Sequence, residues 1–209
     1  MQCRRIANGG VLLTLDGVTV LLDGVCREVF PYLGTPPQEK DNLLACPPDI
    51  TAFTHGHMDH FDRAFAKELY QKTLRSILGP EGLLKEGLCT HGQTVAGVTV
   101  TPIASRHIGA AGKDTPHVSY LIEGSKRVLF TGDAAPSVWK DMRCDVLIAP
   151  YAYAITPSGW KTANAIADTV VIVHMPPRQN DPDGLWHALE TTVGSDPVIL
   201  PEISREITL

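Results

Sequence analysis

Apolar and polar positions alternate along the early part of the chain in a way that predicts sheet. From Val11 to Leu22 two short apolar runs meet at Asp16-Gly17, a turn dipeptide whose glycine accepts positive φ, and this predicts a β-hairpin. Further hairpins are predicted over Gln93 to Ser105, turning at Ala96-Gly97, and over Val118 to Thr131, turning near Gly124-Ser125. Single strands are predicted at Asp49 to Thr54, Asp145 to Pro150, Val170 to Val173 and near Pro197 to Leu200. Phe65, Leu69 and Lys72 fall at helical spacing and predict a helix over Asp62 to Lys72, with others around Lys161 to Ala167 and Leu185 to Thr191. Pro31 to Pro48 carries five prolines among polar residues and reads as a long loop bordering a site. Hairpins early, helices interposed and strands again late suggest an α+β fold, two packed sheets with helices outside.

Composition narrows this picture. At 209 residues and 44% hydrophobic, the chain suits one large domain over residues 1–209 rather than two. A formal net charge of -5 lacks the basic surface that nucleic-acid binding requires, so nucleic acid is not an expected partner. Met1-Gln2-Cys3-Arg4-Arg5 leads straight into a hairpin pattern without a secretory apolar segment, and no apolar run is long enough to span a bilayer. A cytoplasmic protein without membrane contact is the expectation. Cys3, Cys26, Cys46, Cys89 and Cys144 are scattered, odd in number and without a C-x-x-C pair, and read as mostly buried thiols rather than disulfides or thiolate ligands.

The chemistry is concentrated in one segment. Thr54-His55-Gly56-His57-Met58-Asp59-His60 places four potential metal ligands within six residues directly after a predicted strand, where the side chains can converge. Neutral imidazole and carboxylate suit zinc and its borderline neighbours. His107 and Asp133 follow predicted strands further along, and His174 ends the strand Val170 to Val173. His91, His117 and His187 have no comparable setting and default to structural roles; His117, entering a strand near His107, is the strongest exception.

The H-x-H-x-D-H pattern at His55 to His60 resembles the signature of the metallo-β-lactamase superfamily, and His107, Asp133 and His174 resemble its remaining ligands in order. The resemblance spans almost the whole chain. It implies an αββα four-layer sandwich and two divalent metal ions, zinc above manganese or iron. It implies that His55, His57 and His107 hold the first ion and Asp59, His60 and His174 the second, with Asp133 bridging both. Asp59 and Asp133 are then the catalytic carboxylates, and Asp23 resembles an early aspartate that supports the ligands. Two ions sharing a carboxylate can lower the pKa of a water between them, so that hydroxide exists near neutral pH and attacks an electrophile. The compact length, Thr131-Gly132-Asp133 and His174-Met175-Pro176-Pro177 are similar to the small single-domain branch that includes ascorbate-6-phosphate lactonase-like proteins. His57 stands where the redox-active di-iron branch carries glutamate, which favours hydrolysis.

The expected function is therefore hydrolysis of a small, anionic ester, lactone or phosphodiester. An iron-loaded oxygenase and a non-catalytic metal or metabolite sensor are the alternatives, and homo-oligomerisation stays open. Arg106 and Arg178 lie close in sequence to His107 and His174 and are candidates for an anionic substrate, while Tyr151, Tyr153 and Trp160 follow a strand and are candidates for its remainder.

Overall fold

The computed structural model describes residues 1–109, 112–139 and 141–209. One mixed sheet of seven strands has the order β13-β1-β2-β3-β4-β5-β6. Its strands are β1 (Gln2–Arg5), β2 (Val11–Leu15), β3 (Val18–Leu22), β4 (Ile50–Ala52), β5 (Ile77–Leu78), β6 (Leu88–Cys89) and β13 (Glu206–Thr208). A six-stranded sheet has the order β12-β11-β10-β9-β8-β7, from β7 (Gln93–Val95), β8 (Val98–Ala104), β9 (Val118–Glu123), β10 (Arg127–Phe130), β11 (Cys144–Pro150) and β12 (Ala167–Val173). The three hairpins turn where the sequence predicts, and Asp16, Gly17, Ala96 and Gly97 all adopt positive φ there.

The period-two alternation decides which side chains face which layer. Val11, Leu13 and Leu15, Val18, Val20 and Leu22, Val98 and Val100, and Val146 and Ile148 meet between the two sheets as one buried cluster. The alternate positions Leu129, Leu147, Val170 and Ile172 point the other way and are covered by α3 (Pro157–Ile166) through Trp160, Ala163 and Ile166 and by α4 (Leu185–Val193) through Leu185, Leu189 and Val193. On the far side of the first sheet, Leu21 packs with Leu43 of α1 (Pro37–Ala45) and with Phe65 and Leu69 of α2 (Arg63–Thr73). The order of layers is helix, sheet, sheet, helix.

Two expectations are corrected. Pro31 to Pro48 is not a loop throughout, since Pro37–Ala45 is helical. Proline is tolerated in a first helical turn because its missing N–H would have no intrahelical partner, and Leu43 supplies a buried anchor. Pro197 to Leu200 is not a strand of its own, although Ile199 bridges β12 by accepting from the Ile172 N–H at 2.8 Å and donating to the Val170 carbonyl at 3.0 Å. No helix among the described residues is long and apolar enough to cross a membrane. Cys3, Cys26 and Cys144 are buried, Cys89 is half-buried and Cys46 is exposed.

Candidate metal centre

All seven candidate ligands leave strand ends or the loops that follow them, on one edge of the sandwich. β3 runs into Asp23, β4 into Thr54 to His60, β8 into His107, β10 into Asp133 and β12 into His174. Asp23 and His174 take positive φ, 45° and 60°, which for a residue with a Cβ costs about 1–3 kcal/mol and persists only where surroundings over-determine it. Two of the convergent side chains thus stand on left-handed backbone, as turn and cap residues elsewhere in the chain also do.

The side chains form two adjoining groups. Ligand atoms of His55, His57 and His107 lie within 4.8 Å of one another, as do those of Asp59, His60 and His174. Asp133 sits between them: its Oδ2 is 3.3 Å from His60 Nε2, 3.5 Å from His107 Nε2 and 3.7 Å from His174 Nε2. His174 Nε2 is also 3.1 Å from Asp59 Oδ2.

Hydrogen-bond bookkeeping assigns the tautomer of three of these histidines. The fully buried Asp23 carboxylate accepts from the Thr54 N–H at 2.7 Å, from the Thr54 hydroxyl at 2.6 Å and from His60 Nδ1–H at 2.9 Å. Thr54 has then spent its only proton, so its Oγ1 accepts from His55 Nδ1–H at 2.9 Å. The Ile108 carbonyl accepts from His107 Nδ1–H at 2.6 Å. With Nδ1–H committed in this way, the neutral forms of these three rings would each leave an Nε2 lone pair on the inner side of the site, the arrangement in which outer partners orient metal-binding imidazoles.

The electrostatics favour the neutral ring at His55 and His57 and the charged ring at His60, whose Nε2 proton a metal ion would have to displace. Burial, reinforced by neighbouring His60, pushes the His55 pKa far down and keeps its ring neutral. Burial and His107 lower that of His57. Burial opposes ionisation of Asp133, yet His60 and His174 outweigh it and hold this carboxyl well below the usual range. Burial also opposes charge on His60, and Asp133 and Asp23 beside it outweigh that in turn, raising its pKa. Asp133 Oδ1, His60 Nε2 and His107 Nε2 are buried with no hydrogen-bond partner among the described residues. Unpartnered buried acceptors are costly, and a cation is what would satisfy carboxylate and imidazole lone pairs together. The residues present fit divalent metal binding.

The substrate candidates divide differently. Tyr151 stands edge-on to His174 with ring centroids 5.8 Å apart and lines a cavity of about 410 Å³ with Ile108, Pro136, Ile155 and Thr156. Tyr153 is fully buried in the apolar layer beneath α3, and Trp160 is buried there as well, donating from Nε1 to Asp196 at 2.7 Å. Arg178 is exposed, pairs with Glu190 at 2.8 Å and lies over the Trp186 ring, and Arg106 is exposed. The structure brings Tyr151 to the histidines and commits Tyr153, Trp160 and Arg178 to other contacts. His91 and His187 are exposed. Tyr32, which sequence reasoning left in the proline-rich segment, packs edge-on against His174 with centroids 4.4 Å apart. Aromatic residues in that segment carried no periodic signal that could have selected it.

Gly132 shows how tightly the centre is framed. Its φ is 50°, and a Cβ there would meet Thr54 Oγ1 at 2.6 Å, the atom that links Asp23 to His55. Gly132→Ala is therefore expected to cost about 2 kcal/mol of stability and to weaken metal binding with it, measurable by denaturant unfolding and chelator competition. Unchanged values in both would show that Thr54 yields freely.

In sequence, no family model and no curated protein matches the chain. Solved structures do. A possible metal-dependent hydrolase from Veillonella parvula superposes with a TM-score of 0.71 at 16% identity, covering 100% of this chain and 99% of that one. The metallo-beta-lactamase fold protein YhfI from Bacillus subtilis gives a TM-score of 0.61 at 15% identity, covering 99% of each chain. CmlA, a diiron beta-hydroxylase from Streptomyces venezuelae, gives 0.61 at 16% identity, covering 100% of this chain and 54% of that one. At these identities the likeness establishes the architecture: the chain has the metallo-β-lactamase fold. Because a hydrolase and a hydroxylase both appear with it, the fold alone does not decide the chemistry.

Proposed function

We propose that the protein is a metal-dependent hydrolase that cleaves a small ester, lactone or phosphodiester at a centre of two divalent ions. The observation that carries this reading is the convergence of the buried Nε2 atoms of His60 and His107, neither with a hydrogen-bond partner among the described residues, on Oδ2 of Asp133, beside His55, His57, Asp59 and His174. His55, His57 and His107 would hold one ion, Asp59, His60 and His174 the other, and Asp133 would serve both; zinc suits this nitrogen and oxygen set, and manganese or iron can enter it. When bound, the ions supply an activated water and a Lewis acid.

The remaining work falls to the chain itself. Asp23 and Thr54 hold His55 and His60 in register through the hydrogen bonds described above. Tyr32 and Tyr151 shield the His174 side of the centre and narrow the approach of water. The adjoining 410 Å³ cavity combines Ile108, Pro136 and Ile155 with the hydroxyls of Ser137, Thr156, Ser158 and Thr162, and no charged side chain lines it among the described residues. That lining suits a neutral, partly apolar substituent. Negative charge then belongs at the reacting group, where it develops during attack and where cations stabilise it most effectively in a partly dry site.

The test is a screen of lactones, phosphodiesters and carboxylic esters with added Zn²⁺ or Mn²⁺, together with oxygen-uptake measurements on the iron-loaded protein. Hydrolysis that depends on metal and is inhibited competitively by a phosphonate analogue more strongly than by its neutral amide counterpart is the expected result. Oxygen consumption with no hydrolysis would move the reading to an oxygenase, and metal binding without turnover of either kind would move it to a sensor.

A further inference from the structure

His117 lies against His55 and His107 of the first group of ligands without belonging to it. It is buried, its ring centroid is 5.1 Å from that of His55 and 5.7 Å from that of His107, and both of its nitrogens are engaged. Its Nδ1 lies 2.7 Å from Ser105 Oγ, and its Nε2 accepts from the Asp133 backbone N–H at 3.1 Å. The direction of every bond in this chain follows from its far end. The Thr131 carbonyl can only accept, so the Ser119 hydroxyl donates to it, at 2.7 Å. Ser119 then accepts from Ser105, 2.9 Å away, and Ser105 in turn accepts from His117 Nδ1–H. His117 is thereby fixed with its proton on Nδ1 and its lone pair aimed at the Asp133 amide. Burial lowers its pKa to about 3, in keeping with a neutral ring.

Asp133 is gripped from its other side as well, since its carbonyl accepts from the Ile108 N–H at 2.8 Å, beside His107. The neighbouring Val118 N–H donates to the Thr54 carbonyl at 2.9 Å, so the same short segment reaches across to the start of the His55 cluster. We infer that His117 is a positioning residue for the metal centre: a proton relay ending at Thr131 locks its tautomer so that it clamps the backbone of Asp133 and sets where the shared carboxylate stands. This rests on the reading of Asp133 as a metal ligand, and it makes His117 an outer partner rather than an eighth ligand.

Two measurements test it. In ¹⁵N-labelled protein, two-bond ¹H–¹⁵N correlations of the imidazoles should show His117 as the Nδ1–H tautomer, unchanged when Zn²⁺ is added. An Nε2–H tautomer, or a metal-shifted Nε2 on loading, would overturn the proposal. In chelator competition, His117→Phe should weaken Zn²⁺ binding by about 10–100-fold with the same number of ions at saturation, as for loss of other outer partners, and His117→Gln, which keeps an acceptor near the Nε2 position, should recover most of that loss. Wild-type affinity in His117→Phe, or a missing ion at saturation, would contradict it. If His117→Phe does not fold, Ser105→Ala keeps the ring and strands its Nδ1–H, so Zn²⁺ affinity should fall while the Asp133 N–H still holds the Nδ1–H tautomer; wild-type affinity would sink the relay. Should the wild-type protein bind no Zn²⁺, the functional reading fails, while the tautomer spectrum still decides the clamp.

Discussion

Asp133→Asn is expected to lose metal and hydrolytic activity together, with affinity falling by more than about 100-fold, beyond the range seen for outer partners. The side chain is nearly isosteric, so the fold has no steric reason to change. What changes is charge. Asp133 Oδ2 faces Nε2 atoms of His60, His107 and His174 at 3.3 to 3.7 Å, and so stands among donors of both groups. Two cations sharing this space repel each other, and an anion between them offsets that repulsion; a neutral amide does so poorly and brings an N–H₂ toward lone pairs that need a positive partner. The check is chelator competition and turnover on the same sample. If the variant kept full metal affinity and unchanged turnover, Asp133 would have no place between the ions.

Asp23→Ala is expected to have the second largest effect, and a different one. Asp23 touches no space open to substrate, yet removing it strands the Thr54 N–H, the Thr54 hydroxyl and His60 Nδ1–H in a fully buried setting. Leaving buried hydrogen-bonded partners of a charge unpaired costs about 3–5 kcal/mol. Metal affinity should fall by about 10–100-fold because His60 and His55 lose their orientation. Asp23→Asn separates the two effects: it tolerates the left-handed backbone that Asp23 adopts and keeps one acceptor, so most stability should return while metal affinity stays reduced. Denaturant unfolding with and without Zn²⁺ checks both. Equal stability of Asp23→Ala and wild type would mean that the Thr54 and His60 donors find other acceptors.

Which features were legible in the sequence follows from the range of the forces behind them. The hairpins at Asp16-Gly17 and Ala96-Gly97 are set by local backbone preference, and alternation across them marks the core faces, so sequence suffices. The seven candidate ligands are polar residues of the right types at strand ends, a pattern that chain order exposes. Short β5 and β6, at Ile77–Leu78 and Leu88–Cys89, carry no alternation of their own; β5 forms along the edge that β4 offers, and β6 along β5. The helix at Pro37–Ala45 is masked by prolines that block a helical interior yet are tolerated at its first turn. Tyr32, Ser105 and Ser119 reach the centre from separate segments, and their roles depend on distances that only tertiary packing sets. Arg178 illustrates the converse: four residues beyond His174 in sequence, it is held by Glu190 and Trp186 on the surface of α4.

The central claim is that the centre holds two ions, and counting them tests it most directly. Protein saturated with Zn²⁺, freed of excess ion and analysed for metal and for protein concentration, should give about two ions per chain, because seven ligands with one shared carboxylate satisfy two tetrahedral or five-coordinate ions and leave a lone one over-supplied. A saturated ratio near one, or none at all, would contradict it.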